Sequence, residues 1–311
     1  MNRQPPASAF SSEMVRELNR PGNRVLGFCE YGDPNGIPVL AFHGIPGTRL
    51  MFRPADAIAA RLGLRIIAPD RPGFGRSTPQ PNRQLKDWLL EVKAVLSACG
   101  VERFALLGIS GGSPFATAAA AHFGGSVTAM ALFGPMGPVT EMGAGELAWL
   151  ERNFFLRLAK MPGALYALTA PANALFHRAP NLAYGLFLNL LPECDRQVMC
   201  APGLREQVIL DVRESLAQGG EGMRADLRIY AQPWDVSYAA ITAPTVLWQG
   251  LDDTIVPVAA ALRLGDLIPG CTVQRLNRAG HFWIYDHIEL VLKTLCDIAK
   301  AQSNPVDGQQ L

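Results

Sequence analysis

Four residues with acid–base or nucleophilic chemistry fall in short glycine-flanked motifs. Ser110 lies in Gly108-Ile109-Ser110-Gly111-Gly112. Asp252 and Asp253 lie in Gly250-Leu251-Asp252-Asp253-Thr254-Ile255-Val256-Pro257, and His281 lies in Gly280-His281-Phe282. A serine hydroxyl is a weak nucleophile at neutral pH, so a nearby base must take its proton. Histidine suits that task because it titrates near neutrality. A carboxylate fixes the histidine's tautomer and stabilises the imidazolium. Acyl transfer also needs two preorganised N–H donors for the developing oxyanion. The backbone N–H after the nucleophile, that of Gly111, supplies one of them.

Ser110 follows the apolar run Phe104-Ala105-Leu106-Leu107 and precedes an alanine-rich stretch, Ser113 to His122, that reads as a helix. Strand, tight turn and helix are the setting in which G-x-S-x-G holds its serine strained and exposed. The helix N-terminus behind the serine favours negative charge there. Among the five histidines, His122 lies in the helix after Ser110, His177 in a helical stretch, and His287 at the last helix. His281 sits in a loop after a strand, where reactive groups belong, and is the expected base. Both aspartates follow the strand Thr245 to Trp248. Asp70 and Glu141 are weaker candidates, and Asp70 is expected to pin its own Pro-Gly loop.

The surrounding elements alternate. Val25 to Tyr31 and Val39 to Phe42 read as a strand pair across the turn Gly32-Asp33-Pro34-Asn35-Gly36. Pro54 to Leu62 reads as a helix, Leu64 to Ala68 as a strand, and Gln84 to Cys99 as a helix with one apolar face. Val127 to Phe133 is a further strand. This order predicts an α/β fold, a mostly parallel sheet with helices on both faces. The rhythm breaks at Gly134-Pro135-Met136-Gly137-Pro138. From Val139 to Asp235 the patterns are helical, over Glu146–Lys160, Asn181–Leu191, Leu204–Ala217 and Gly222–Tyr230. Strands and helices then resume: Thr245–Trp248, Val258–Leu267, Thr272–Leu276 and Asp286–Ala301. The expected division is a core of residues 1–138 and 236–311, with 139–235 as a helical cap over the strand ends. Residues 1–23 read as a loose lead-in, and the tail from Ser303 to Leu311 looks similar.

Composition narrows the function classes. The chain has 311 residues, of which 49% are hydrophobic and 18% charged, with a formal net charge of +1. It can bury a large core, and nothing points to nucleic acid or anionic lipid. The N-terminus lacks the apolar core of a secretion signal. Phe104 to Thr140 holds no charged residue, but glycine and proline interrupt it, so buried strands explain it better than a membrane span. Six scattered cysteines (Cys29, Cys99, Cys194, Cys200, Cys271, Cys296) form no zinc pattern and read as free thiols in a reducing, cytoplasmic setting. Cys194 and Cys200 can in principle bridge.

Over Val25 to Ala301 the chain resembles α/β-hydrolase-fold serine hydrolases of the esterase and lipase type with a helical cap. The chain order serine, acid, histidine is the order of that family. The resemblance implies Ser110, Asp253 and His281 as catalytic triad, since glycine, two residues, aspartate and a following Val-Pro select Asp253. It implies the backbone N–H groups of Ile45 and Gly111 as oxyanion hole, Ile45 belonging to His43-Gly44-Ile45-Pro46-Gly47, with His43 structural. It implies hydrolysis of carboxylic esters of small or medium, mostly apolar substrates, with no metal or cofactor. Epoxide hydrolases and dehalogenases carry a similar loop but need a carboxylate at position 110. Proline iminopeptidases share the loop; they have a bulky residue where this chain has Gly111, and they need acids for the substrate amine, for which Glu193, Asp195, Glu206 and Glu214 are candidates. Lactonases, carbon–carbon bond hydrolases and hydrolase-derived ligand-binding modules remain alternatives.

Overall fold

The computed structural model describes residues 14–143 and 145–303. In chain order the elements are β1 (Arg16–Arg20), β2 (Arg24–Gly32), β3 (Ile37–Phe42), α1 (Asp56–Leu62), β4 (Leu64–Pro69), α2 (Trp88–Cys99), β5 (Phe104–Ile109), α3 (Ser113–Phe123) and β6 (Val127–Phe133). Then come α4 (Trp149–Leu156), α5 (Pro162–Arg178), α6 (Pro180–Leu188), α7 (Glu193–Met199), α8 (Leu204–Leu216) and α9 (Glu221–Tyr230). The chain closes with β7 (Thr245–Gly250), α10 (Val258–Leu267), β8 (Thr272–Leu276) and α11 (Ile284–Ser303).

The strands form one sheet in the order β1-β2-β4-β3-β5-β6-β7-β8. It is parallel from β4 to β8, and β2 runs antiparallel to both β1 and β4. Alternate residues of β5 feed two layers, as the two-residue period of a strand requires. Phe104 and Leu106 join α2, α3 and α10 residues such as Trp88, Phe115 and Leu264. Ala105, Leu107 and Ile109 join α1 and α11 residues such as Ala59, Val291 and Leu295. Burial on both faces explains the uncharged run around β5 and β6. No helix among the described residues is long and apolar enough to cross a membrane.

Three expectations are corrected. The first two core strands do not pair with each other, because β4 lies between them. The Asp33 and Ile37 N–H groups donate to Leu64 O and Gly63 O, each at 2.8 Å, so the turn wraps around the start of β4 rather than closing a hairpin. The lead-in is not loose after residue 15, since β1 is an edge strand. Its Leu18 packs on the core, while Arg16 pairs with buried Glu30 and Arg20 with buried Glu91. A short charged edge strand has little apolar signal in sequence. Residues 1–13 and the tail 304–311 lie outside the described residues. Finally, α5 and α7 were not anticipated, and Pro171 inside α5 hides that helix from a pattern reading.

Candidate active site

The serine turn is built by close approach. Ser110 has φ of 52°, a left-handed backbone uncommon for a residue with a Cβ. A Cβ on Gly112 would lie 2.1 Å from Phe42 O, so β3 passes where any side chain would stand. A Cβ on Gly111 would lie 2.5 Å from the Tyr230 hydroxyl, which donates to Gly111 O at 2.7 Å. The small residue after Ser110 is therefore required by a helix more than a hundred positions away.

Ser110, His281 and Asp253, far apart in sequence, meet at the strand ends. The Ser110 Oγ lies 3.0 Å from His281 Nε2. His281 Nδ1 lies 2.7 Å from Asp253 Oδ2. The Asp253 Oδ1 accepts from the Ile255 and Val256 N–H groups at 2.8 and 3.0 Å, which fixes the carboxylate's orientation. All three residues are buried. Asp252 is exposed and ties its backbone N–H to Ala279 O at 3.0 Å. Burial disfavours the charged imidazole of His281, but the charge and hydrogen bond of Asp253, with Asp195, outweigh it and raise its pKa above 6.5. Burial works against the Asp253 carboxylate as well, and the His281 charge with its hydrogen bonds brings its pKa below the ordinary value.

Ile45 sits beside this group. A Cβ on Gly111 would lie 3.2 Å from Ile45 Cγ1, and one on Gly44 would lie 3.6 Å from Ser110 Oγ. Among the described residues the Ile45 N–H donates to no group. Gly111 is the second residue of the helical turn that Ser110 opens, where N–H groups have no partner within the helix. His43 is bound to backbone, with Nδ1 2.8 Å from Gly44 O and Nε2 accepting from Arg71 N at 3.2 Å. Its burial, with the Arg71 charge, holds its pKa well below the ordinary value, so it stays neutral. Asp70 is also committed: it accepts from Arg49 and from the Arg76 N–H, as expected of a residue pinning its loop. Glu141 takes the Tyr238 hydroxyl at 3.1 Å.

Above Ser110 lies a cavity of about 340 Å³. Ile45, Ile109, Ser110 and His281 line its floor, and Phe176, Tyr184, Phe187 and Val208 line it from the helical segment. No lysine or arginine is among the described lining residues, and Asp211 is the acid that reaches it. Trp149 and Tyr166, also rich in apolar area, are exposed instead.

Several supporting residues escaped the sequence reading. Asp195, a candidate there only as an acid for a substrate amine, is fully buried and accepts from the His281 and Phe282 N–H groups at 2.9 and 2.7 Å. Asp211 Oδ1 accepts from Thr48 N at 2.8 Å, and the Ser215 Oγ accepts from Gly47 N at 3.1 Å, so α8 holds the loop that carries Ile45. Burial pushes the Asp211 carboxyl up to about 8. Asp226 accepts from Arg71 Nε at 2.9 Å, and Arg71 in turn donates to the carbonyls of His43 and Gly44. None of these bonds has a local sequence signature. Of the other acids named with Asp195, Glu214 pairs with Arg49 at 3.0 Å, while Glu193 and Glu206 are exposed. All six cysteines, Cys194 and Cys200 included, are free.

A family model described as alpha/beta hydrolase fold matches residues 37–288. A Pseudomonas putida protein named 2-hydroxymuconate semialdehyde hydrolase is 24% identical over 283 residues, covering 90% of this chain and 92% of its own length. Two solved esterases share the fold. One from Thermogutta terrifontis has a TM-score of 0.66 at 21% identity, covering 93% of this chain and 99% of that one. One from a Rhodococcus species has a TM-score of 0.64 at 22% identity, with the same coverage.

Proposed function

We propose, from the premise that this chain belongs to the α/β-hydrolase fold family, that it is a serine hydrolase acting on carboxylic esters of small to medium, mostly apolar substrates. The observation that carries this reading is the unbroken hydrogen-bond chain from Ser110 Oγ through His281 to Asp253, opening onto an apolar cavity. In it, Ser110 attacks the ester carbonyl as His281 takes its proton. The Ile45 and Gly111 N–H groups receive the oxyanion. His281 then protonates the leaving alcohol, and water activated by the same histidine cleaves the acyl-enzyme. Asp253 holds the imidazole and balances its charge throughout. These steps need a small-molecule substrate and call on no metal or cofactor. Residues 139–235 act as the cap that roofs the serine. The free thiols suit a cytoplasmic setting.

Two rival bond types are weighed by the cavity. A substrate bearing a carboxylate, the kind the name of the Pseudomonas putida relative suggests, would want a cation in the cavity, and the described lining offers none. An aminopeptidase would want ionised acids facing the substrate. Asp195 and Glu214 are engaged elsewhere, and Asp211 is held largely protonated at neutral pH.

A panel of p-nitrophenyl esters from acetate to octanoate, with proline p-nitroanilide, a lactone and a vinylogous diketone acid, tests the assignment. Ester turnover abolished by Ser110→Ala is the expected result. Preference for the anilide or the diketone acid would replace the ester reading, and no turnover of any member would favour a binding module.

A further inference from the structure

We propose that Asp195 is a positioning residue for the general base, reaching from the helical segment to fix the His281 backbone and to set a second negative charge beside its imidazole. The inference rests on the reading of His281 as the base. Its grounds are geometric. Asp195 is fully buried and, among the described residues, has no lysine or arginine as hydrogen-bond partner; each of its oxygens takes one backbone N–H, Oδ2 from His281 and Oδ1 from Phe282. Two consecutive N–H groups captured by one carboxylate leave the His281 backbone little freedom to pivot.

The approach is also built into the other partner. A Cβ on Gly280 would lie 2.2 Å from Asp195 Oδ2, so the residue before His281 must be glycine for the carboxylate to reach. The glycine before the histidine, read at first as part of a loop motif, is thus shaped by α7. Burying a carboxylate against neutral donors alone is costly. An Asn side chain of the same shape has one acceptor, so it would satisfy one N–H and press an amide N–H against the other. A carboxylate suits both donors, and its charge favours the imidazolium that forms when Ser110 gives up its proton.

The charged and titratable groups around this pair come from several elements. Asp253 faces His281 from the loop after β7, and Ser110 faces it from the turn after β5. Cys194 adjoins Asp195 on α7, and Asp252 acts on that thiol. Burial, the largest single influence, opposes the charged imidazole, and the charge and hydrogen bond of Asp253 together with the charge of Asp195 outweigh it. Burial raises the Asp195 pKa above its ordinary value, while its two backbone N–H donors and the His281 charge oppose that rise. Removing the charge it carries should lower the His281 pKa, whereas a purely structural strut would leave it in place.

The test follows the His281 imidazole by NMR across pH in the parent and in Asp195→Asn, with the signal assigned by its loss in His281→Asn. Ester kinetics, normalised to fluorophosphonate-reactive sites, are measured alongside. The expected result is a His281 midpoint lowered by roughly half a pH unit or more, with the acid limb of kcat/KM moving the same way. Turnover should fall about tenfold or more with KM little changed. An unmoved midpoint, or a drop in melting temperature with unchanged turnover per active site, would overturn the proposal. Where Asp195→Asn does not fold, Asp195→Glu carries the test: it keeps the charge but not the reach, so the midpoint should stay near the parent's while turnover falls. Parent-like turnover in that variant overturns the proposal. A shifted midpoint in a parent that cleaves no ester would refute the ester reading while leaving the Asp195–His281 coupling standing.

Discussion

The central sheet and the helical segment of residues 139–235 are held by different forces. The sheet is buried on both faces by large apolar layers, with Phe42, Phe115 and Phe133 all without solvent exposure. The helical segment has a small buried cluster of its own, Tyr184, Leu191 and Met199, and leaves Trp149, Leu150, Leu182 and Leu190 more than half exposed. Where it meets the reactive residues it adds buried hydrogen bonds to its apolar lining of the cavity. Tyr230 reaches the serine turn, Asp211 and Ser215 the Ile45 loop, and Asp195 the His281 loop. Apolar layers stabilise without fixing direction, whereas hydrogen bonds fix atoms to tenths of an ångström. The difference teaches that stability resides mainly in the sheet, while the precision of the site depends on the segment as well.

The widest gap should open between two adjacent residues in the loop after β7. Asp253→Asn is expected to lower turnover by roughly a thousandfold to ten-thousandfold with a modest change in KM. Asp252→Asn should stay within about tenfold of the parent, because an exposed turn residue contributes little. Steady-state kinetics on one ester decide it, and a crippled Asp252→Asn would move the acid by one position.

Stability should divide the two regions in the opposite sense. Phe115→Ala empties the layer between α2, α3 and the sheet and should cost about 3–5 kcal/mol. Leu190→Ala, at a residue that is 80% exposed, should change stability by about 0.5 kcal/mol or less. Urea denaturation of both variants checks this, and comparable losses would dissolve the contrast.

The polar bridges predict smaller and more selective effects. Tyr230→Phe leaves the Gly111 carbonyl without its donor, a loss of about 0.5–1.5 kcal/mol. Turnover should fall by about threefold to tenfold, a factor that energy supports if it is felt at the serine turn. Full activity in this variant would show that α9 only packs on the turn.

Asp211 gives a pH signature. Burial pushes its carboxyl up to about 8 in the folded chain, above the ordinary value of 3.8 that it regains when unfolded. The folded state therefore holds the extra proton between those values, and this residue's contribution to stability declines as pH rises through that window. Asp211→Asn removes the decline. Its melting temperature relative to the parent should rise by roughly 2 °C or more between pH 5 and 8.5, and a flat difference would contradict the raised pKa.

What sequence revealed follows from which contacts are local. The serine turn was legible because its glycines, strand and helix are contiguous, and Asp253 was separable from Asp252 by a motif of a few residues. The order of β2, β4 and β3 was not legible, since pairing across the sheet is decided by which strand slides between two others. Helix α5 was hidden by Pro171, and β1 by its charges. Asp195 lies 86 positions from His281, and Tyr230 lies 119 from Gly111. The nearest traces of those partners were the glycines at 280 and 111, each absent a side chain because a residue from the helical segment occupies the space.

The central claim, that Ser110 is a nucleophile activated by His281, is tested most directly by covalent labelling. A fluorophosphonate probe added to the parent should give one adduct per chain, mapped by peptide mass spectrometry to Ser110. The adduct should be absent in Ser110→Ala and should form far more slowly in His281→Asn. An adduct on another serine such as Ser113, or labelling whose rate ignores His281, would contradict the account.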